Sequence, residues 1–295
     1  MSANLPTHFV QQYSTNIALL LQQRGSKLRD TVMTATHVGK QASPVDQFGA
    51  VEMQAVSSRF SPMTRVDAPT DRRWVFPSDF DLPQLIDEYD KLRMLTDPSS
   101  SYVQNAVMAA GRQFDRLICS AFIGTAKTGE TGSTSTSFTA ANEVDVAVGG
   151  ANSRLNVAKI KAVKELMMSK HIDFDMEQCY IGITAADHAA LLNEIQVVST
   201  DFNSRPVLVD GKVTQFLGFN LVHCELIETA LAGTNEVTLP VWVKSGMHLG
   251  VWGDIQNSVS RRHDLQGEPW QVYTKMTAGA TRLEENKVFA IESYR

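Results

Sequence analysis

The sequence predicts an α+β fold in which one long helix lies between two regions of β-strands. Residues 31 to 80 contain the β-forming segments TVMTATHV, AVEMQAVSSRF and RRWVFPSDF, which Gly and Pro separate. Residues 99 to 123 carry apolar side chains at spacings of three and four, which predicts a helix of about six to seven turns. Beyond residue 150, amphipathic helical patterns alternate with strand patterns such as CYIGIT, EVTLPVWV and NKVFAIES.

Composition limits the partners that the chain can have. Its 295 residues, 43% of them hydrophobic, can bury a large core, and 27 basic against 32 acidic residues give a formal charge of −5. That balance does not favour an electrostatic grip on nucleic acid by the whole surface. The longest apolar run near the N-terminus, residues 17 to 21, is too short to span a membrane, so no membrane partner is expected. The cysteines form no CxxC pair and are predicted to be reduced, small core residues: Cys119, Cys179 and Cys224.

The segments before the long helix have distinct expected roles. Residues 1 to 30 have too little apolar surface for a core of their own and are predicted to be an arm that docks elsewhere. The β-rich residues 31 to 80 indicate a long two-stranded excursion, which needs a surface to lie on because an isolated hairpin is marginal in water. A short helix is predicted from Pro83, since proline is favoured in a first turn. The apolar stripe of the long helix is expected to bury Val103, Val107, Phe114, Leu117 and Ile118.

The stretch GTAKTGETGSTST, residues 124 to 136, comes close to the nucleotide-binding pattern G-x-x-x-x-G-K-[ST], but Glu130 stands where the lysine is required. A phosphate-binding loop leads into the N-terminus of a helix, where backbone N–H groups and the helix dipole favour anions. This stretch instead follows the end of the predicted helix, where the dipole repels anions. We therefore expect a flexible polar loop, continuing to about Gly150, and no nucleotide site.

No local pattern predicts a catalytic residue, a cofactor or a metal site. The segment HIDFDMEQ alternates Asp173, Asp175 and Glu177, but it lacks the glycine that a calcium-binding loop needs at its sixth position, so an acidic turn is expected. His223 and Cys224 are neighbours in a strand pattern, so their side chains point to opposite faces and cannot act together as a catalytic pair.

Two basic clusters remain as candidates for contacts between subunits. DRRW contains Arg72, Arg73 and Trp74, and SRRH contains Arg261 and Arg262. Arginine makes bidentate contacts with carboxylates and phosphates, although a solvated charge pair is an equally good interpretation of each cluster. DRRW lies on the extended excursion, which favours a subunit contact for that cluster.

The order of these elements resembles the major capsid protein of tailed double-stranded DNA bacteriophages. DFDLPQLIDEYDKLRMLTDPSSSYVQNAVMAAGRQFDRLICSAFIGTAKTG is similar to the lead-in and spine helix of that family. FLGFNLVHCEL resembles a strand of its axial domain, and GATRLEENKVFAIES resembles its closing strand. The resemblance implies an N-terminal arm at residues 1–35, an extended loop (E-loop) at 36–80, a peripheral domain at 81–175 with the spine helix at about 99–123, an axial domain at 176–244, and return strands at 245–295 that complete the peripheral domain.

The same resemblance implies a structural protein and not an enzyme. Its members assemble as pentamers and hexamers into an icosahedral or prolate shell, which encloses double-stranded DNA without sequence-specific binding. Expected partners are further copies of the chain, a portal, decoration proteins and a separate scaffolding protein, the last because only a short arm precedes the E-loop. The location implied is the virion capsid, assembled in the cytoplasm of the bacterial host. Some relatives join subunits by Lys-Asn isopeptide bonds, but no lysine lies between Val51 and Asp81, and only Lys40 lies at the base of the loop.

Two alternatives stay open on the sequence alone. A bacterial nanocompartment shell protein shares the fold and differs by holding a cargo enzyme. An α/β enzyme with a dispersed active site would need a convergent polar cluster that no local motif reveals.

Overall fold

The computed structural model describes residues 22–55, 58–59, 65–86, 99–150, 152–194, 213–231, 233 and 235–295. The helices are α1 (Ser99–Ile123), α2 (Val157–Ser169), α3 (Ala185–Leu192) and α4 (Leu226–Ala230). The strands of the first half are β1 (Met33–Thr36), β2 (Ala42–Phe48), β3 (Thr70–Val75), β4 (Ser78–Ile86), β5 (Ala126–Thr128), β6 (Thr134–Thr136) and β7 (Glu143–Val144). Those of the second half are β8 (Cys179–Ile183), β9 (Gln215–Phe216), β10 (Phe219–His223), β11 (Glu236–Val243), β12 (Met247–Arg261), β13 (Trp270–Arg282) and β14 (Val288–Tyr294).

Helix α1 confirms the helix predicted over residues 99 to 123, but its buried stripe differs from the one predicted. Phe114 and Ile118 are fully buried, Val103 and Leu117 are half-buried, and Val107 is 37% exposed. The assignment of Val107 to the core was therefore wrong. The buried residues of α1 recur at intervals of four, and the series passes through the position before Val107. The buried face of the helix is therefore formed by Ala106, Ala110, Phe114, Ile118 and Phe122.

The helix predicted from Pro83 was wrong for the described residues, because positions 83–86 belong to β4. Exposed and half-buried side chains alternate along this strand, which is the period of a β-strand and not of a helix. β4 is an edge strand of its sheet, so the missing N–H of Pro83 interrupts no inner ladder. The rest of the predicted helix, residues 87–95, lies outside the described residues.

The described strands form three sheets, with the orders β1-β12-β13-β4, β7-β14-β11-β8-β10-β9 and β2-β3-β5-β6. The chain divides into two compact units, one with residues 1–25, 79–112 and 253–276, the other with 26–78, 113–252 and 277–295. In the six-stranded sheet, β8 and β10 run parallel and β14 pairs antiparallel with β11. Residues 288–294 therefore share a sheet with segment 176–244.

The core of the larger unit surrounds Trp242, whose ring centroid lies 4.5 Å from that of Phe122 at the end of α1. Trp242 donates its indole N–H to the carbonyl of Thr31 at 3.1 Å, and Leu28 is fully buried. β1 then pairs in parallel with β12. The last part of the predicted arm, from Leu28 onward, is thus built into the core of the protomer, because its apolar side chains find partners there.

The stretch after α1 is a β-hairpin and not the flexible loop that we predicted. β5 and β6 pair antiparallel, and β5 also pairs with β3. Gly129 and Gly132 turn the chain with positive φ angles of 86° and 74°, a conformation that glycine adopts without strain. A Cβ on Gly132 would lie 3.0 Å from Cγ of Trp74, so this glycine also allows close packing on the indole. The glycines serve the turn geometry, not a phosphate.

One edge of the six-stranded sheet carries an acidic cavity, which is lined by Glu143, Asp145, Glu236 and Glu292. Burial, together with a hydrogen bond to Glu143, raises the pKa of Glu292 to about 7. Thr238 donates its hydroxyl to Glu292 at 2.8 Å. Behind the cavity, Lys159 is fully buried and donates its ammonium to the carbonyls of Ser153 and Glu292.

Phe114→Ala should lower the free energy of unfolding by about 3 to 5 kcal/mol, because it opens a cavity at a fully buried position of α1. Val107→Ala on the same helix should cost less than about 1 kcal/mol, since that side chain is partly exposed. Chemical denaturation of the two variants checks this. Equal losses for both would mean that the buried face of α1 is misplaced.

Glu292→Gln should stabilise the protein at pH 8 by about 1 to 2 kcal/mol, after allowance for solvent screening of a half-buried group. An unfolded glutamate titrates near pH 4.5, whereas Glu292 in the folded protein holds its proton up to about pH 7. Folding therefore favours the protonated form, and wild-type stability falls as pH rises from 4.5 to 7. The advantage of the variant should disappear toward pH 4. Glu165→Gln, on the exposed face of α2, is the control, and an advantage of Glu292→Gln that is constant with pH would contradict the assignment.

Candidate assembly interface

The extended excursion is anchored to the protomer by two arginines that share one carboxylate. Arg73 on β3 contacts Glu285 at 3.1 Å, and Arg282 at the end of β13 donates to the other oxygen of Glu285 at 2.7 Å. Arg73 is 5% exposed and Arg282 is completely buried. We call Arg73, Arg282 and Glu285 the anchor.

The guanidinium of Arg282 also joins the end of α1 to the following hairpin. It donates to the carbonyls of Phe122 at 2.8 Å and Gly124 at 2.9 Å, and more weakly to that of Thr136 at 3.4 Å. The last carbonyls of a helix have no partner within the helix, and a cation is favourable beside them. Arg73, Arg282 and Glu285 thus all have charged or polar partners, which is the condition under which charge can be buried.

The anchor corrects one predicted contact between subunits. Arg73 is engaged inside the protomer, because the register of the hairpin turns it toward β13 while its neighbour Arg72 faces solvent. Arg72 forms a bidentate pair with Asp46 across the hairpin, and this pair, through the hydrogen bond first and the charge second, raises the pKa of Arg72. Trp74 is half-buried and donates its indole N–H to the carbonyl of Gly129 at 2.7 Å. Arg72 is therefore the more exposed of the two arginines of DRRW.

Beyond the anchor, the two strands of the excursion meet where the N–H of Gly49 donates to the carbonyl of Pro69 at 2.7 Å. Four apolar side chains of the described tip are exposed: Phe48 by 76%, Val51 by 57%, Met53 by 103% and Val66 by 48%. Val56, Phe60 and Met63 lie outside the described residues. Exposed apolar side chains along one hairpin indicate a surface that is covered in an assembly.

The second basic cluster lies at the turn between β12 and β13. The guanidinium of Arg261 lies 4.8 Å from the ring centroid of Trp270, and Arg262 donates to Asp264 at 2.7 Å and to Gln271 at 2.9 Å. The hydrogen bond from Arg262 lowers the pKa of Asp264 to about 2. Both arginines thus have partners at this turn.

The remaining chemical candidates have local roles. Asp173 accepts the backbone N–H of Asp175 at 2.9 Å, which is an acidic turn as predicted, and Glu177 pairs with Lys287 at 3.4 Å. Within the described ranges, no three His, Cys, Asp or Glu side chains are grouped so as to hold a metal ion. Among the helices that the structure describes, none is both long and apolar enough to cross a membrane.

Sequence reasoning missed Arg282 and Glu285, which do most to position the hairpin. They lie more than 200 residues from Arg73, and neither belongs to a motif with fixed spacing. The available signal was weak: TRLEEN places an arginine and a glutamate three positions apart directly after a strand pattern.

The fold matches that of phage capsids. The capsid structure of cyanophage P-SCSP1u has a TM-score of 0.75 at 15% identity and covers 97% of this chain and 93% of its own. The capsid asymmetric unit of cyanophage Pam1 has a TM-score of 0.73 at 13% identity, with 99% and 98% covered. The capsid of a native GTA particle has a TM-score of 0.69 at 13% identity, with 96% and 95% covered. At these identities the likeness establishes the fold: the α+β architecture of tailed-phage major capsid proteins.

The particular family follows from the sequence itself. The family model for the phage capsid protein matches residues 5–294, and the chain belongs to that family. No curated protein matches the chain. The chain is accordingly a structural protein of the virion capsid that associates with other copies of itself, and not an enzyme. This favours the phage interpretation over the nanocompartment and enzyme alternatives.

Glu285→Ala should lower the free energy of unfolding by about 3 to 5 kcal/mol, because it leaves the buried Arg73 and Arg282 without their shared carboxylate. Glu284→Ala is the matched control, since that side chain is 45% exposed and pairs with Lys287 at 3.5 Å, so it should cost less than about 1 kcal/mol. Urea denaturation of both variants measures the difference. Similar small losses would show that the anchor contributes little to stability.

Proposed function

We propose that this chain is the major subunit of a tailed-phage shell, assembling as pentamers and hexamers into an icosahedral or prolate capsid around double-stranded DNA. The observation that carries the proposal is the anchored hairpin, which is fixed at its base and exposes apolar side chains beyond it. Such a hairpin gains little stability by itself and gains it by lying on a neighbour. Repeated contacts between unlike surfaces close into rings and shells.

The proposed division of labour follows the family pattern. Residues before Leu28 act as the arm, residues 36–80 as the E-loop, and α1 as the spine helix of the peripheral domain. Segment 176–244, together with β14, acts as the axial domain. Arg72 and the Arg261–Arg262 turn are the candidate polar contacts between subunits, and the exposed apolar tip is the candidate apolar contact. The shell encloses the DNA without sequence-specific binding, and the formal charge of −5 does not favour a tight electrostatic grip on it.

Proposed partners are a separate scaffolding protein, a portal and decoration proteins, with assembly in the host cytoplasm. Expression of the chain alone and with its scaffolding protein, followed by electron microscopy and analytical ultracentrifugation, tests the proposal. Rings of five and six subunits or closed particles support it. A monomer under both conditions, at concentrations where relatives assemble, would refute it.

Removing the tip of the hairpin should abolish assembly and preserve folding. Residues 50–68 can be replaced by a short Gly-Ser turn, because the hydrogen bond from Gly49 to Pro69 already brings the two ends together. The shortened protomer should keep its circular dichroism and a cooperative melt. Particles should be absent in sedimentation.

A milder test keeps the backbone and changes only the exposed apolar side chains. Phe48→Ser, Val51→Ser and Met53→Ser together should reduce particle yield at least tenfold with little change in protomer stability, since all three are exposed. Met168→Ser with Met176→Ser, two other exposed methionines, is the matched control and should assemble better than the triple variant. Normal particles from the triple variant would show that the tip is not an assembly contact.

A further inference from the structure

Cys119 and Cys224 lie against each other in the core, although about 100 residues separate them in sequence. Cys119 is on the buried face of α1, and Cys224 directly follows β10. Both side chains are completely buried, and a hydrogen bond joins the two thiols. Both are free thiols in the structure.

The segments that carry the two thiols are held together by residues 26 to 28. Asp115, one turn before Cys119, accepts the backbone N–H groups of Lys27 at 3.0 Å and of Leu28 at 3.1 Å. The ammonium of Lys27 donates to the carbonyl of His223, the residue before Cys224, at 2.9 Å. The backbone N–H of Cys224 donates to Ile183 at 3.0 Å. These hydrogen bonds therefore hold the α1 segment with Cys119 and the segment with Cys224 next to each other.

The two thiols are chemically unequal. The S–H of Cys119 and, after it, the backbone N–H of Leu226 stabilise the thiolate of Cys224 and lower the pKa of Cys224. The hydrogen bond to Cys224 and burial raise the pKa of Cys119. Because a thiolate is the reactive form, Cys224 is the nucleophile of the pair and Cys119 is the resolving thiol.

We propose that Cys119 and Cys224 are a modification site, at which a small hydroperoxide closes a disulfide within the protomer. The Cys224 thiolate attacks one oxygen of hydrogen peroxide, the O–O bond breaks, and hydroxide leaves, which gives a sulfenic acid. The sulfur of Cys119 then attacks that sulfur, loses its proton, and expels the OH group as water. The two thiols are oxidised by two electrons, and one peroxide is reduced to two waters.

The burial of both thiols limits the size of an oxidant that can react with them. An open cavity is lined by Lys27, Val222 and His223, and the last two directly precede Cys224 in the chain. Bulky thiol reagents are excluded by the complete burial of both side chains. A reducing cytoplasm keeps the pair as thiols, and an oxidising medium favours the disulfide. The bond would fasten the end of α1 to the six-stranded sheet.

Cys179 supplies an internal control. It is buried on β8, but its sulfur lies 3.8 Å from the carbonyl of Glu177, and no contact with another cysteine is described for it. It faces Phe219 in the β8–β10 register, at the opposite end of the pairing from His223. It should therefore stay a thiol under conditions that join the other two.

The test treats the folded full chain with hydrogen peroxide, alkylates remaining thiols in denaturant, and maps peptides by mass spectrometry. The expected product is one peptide pair linking Cys119 to Cys224, with Cys179 alkylated, and its reversal by dithiothreitol. The apparent unfolding temperature should rise by about 5 to 10 °C, because the bond closes a loop of about 100 residues. Cys179→Ala should behave as wild type, and Cys224→Ser should form no such link and show no rise.

Three results would overturn the proposal. The first is alkylation of all three cysteines after peroxide treatment that already oxidises exposed methionines. The second is a link that includes Cys179 or joins two subunits, as shown by mixing isotopically light and heavy protein. The third is a link that forms only after denaturation, which would mean that the folded contact does not direct it.

Discussion

The carboxylate of Glu285, shared by Arg73 and Arg282, is the constraint on which the placement of the hairpin depends. Arg282 alone joins β13, the end of α1 and the hairpin β5–β6, and Glu285 adds β3 to that group. Burying a charged side chain costs little free energy when its ion-pair and hydrogen-bond partners are present, whereas losing one partner strongly destabilises the protein. A shift of β3 would break the pairing of Arg73, so the base of the excursion has one favoured position even though the described apolar side chains of its tip are exposed.

How well the sequence predicts each element depends on how local its determinants are. The bounds of α1 and strands such as β8, β11 and β14 could be predicted, because period 3.6 and runs of apolar residues are local signals. The long strand β12 was not assigned from its pattern. The strand through Pro83 was missed because DFDLPQLI fits a period of two as well as a helical start, and only pairing with other strands decides. The hairpin after α1 was taken for a loop because short polar strands carry almost no hydrophobic signal.

The candidate interface shows the same limit more strongly. Arginine clusters could be found from the sequence, but which arginine faces inward depends on register, and register is set by pairing between distant segments. For that reason the side chains of the adjacent residues Arg72 and Arg73 differ in burial: Arg73 is buried and Arg72 faces solvent. Likewise, nothing in the spacing of Cys119 and Cys224 indicates their contact, since one lies on α1 and the other follows β10, far apart in the sequence. An apolar residue on the apolar stripe of a helix is usually buried. Val107 is an exception, because the buried stripe of α1 passes through the neighbouring position 106 and leaves the Val107 side chain partly exposed.

Lys159 has an experimental use that follows from its burial. Its ammonium lies behind the acidic cavity, completely buried, with hydrogen bonds to the carbonyls of Ser153 and Glu292, and burial lowers its pKa. Amine-reactive labels act on the exposed lysines of a folded protein and reach a buried one only when its surroundings open. The rate at which Lys159 is labelled therefore reports how often the edge of the six-stranded sheet opens locally. The measurement needs no substitution in the chain and can be made on a free subunit or on a finished particle.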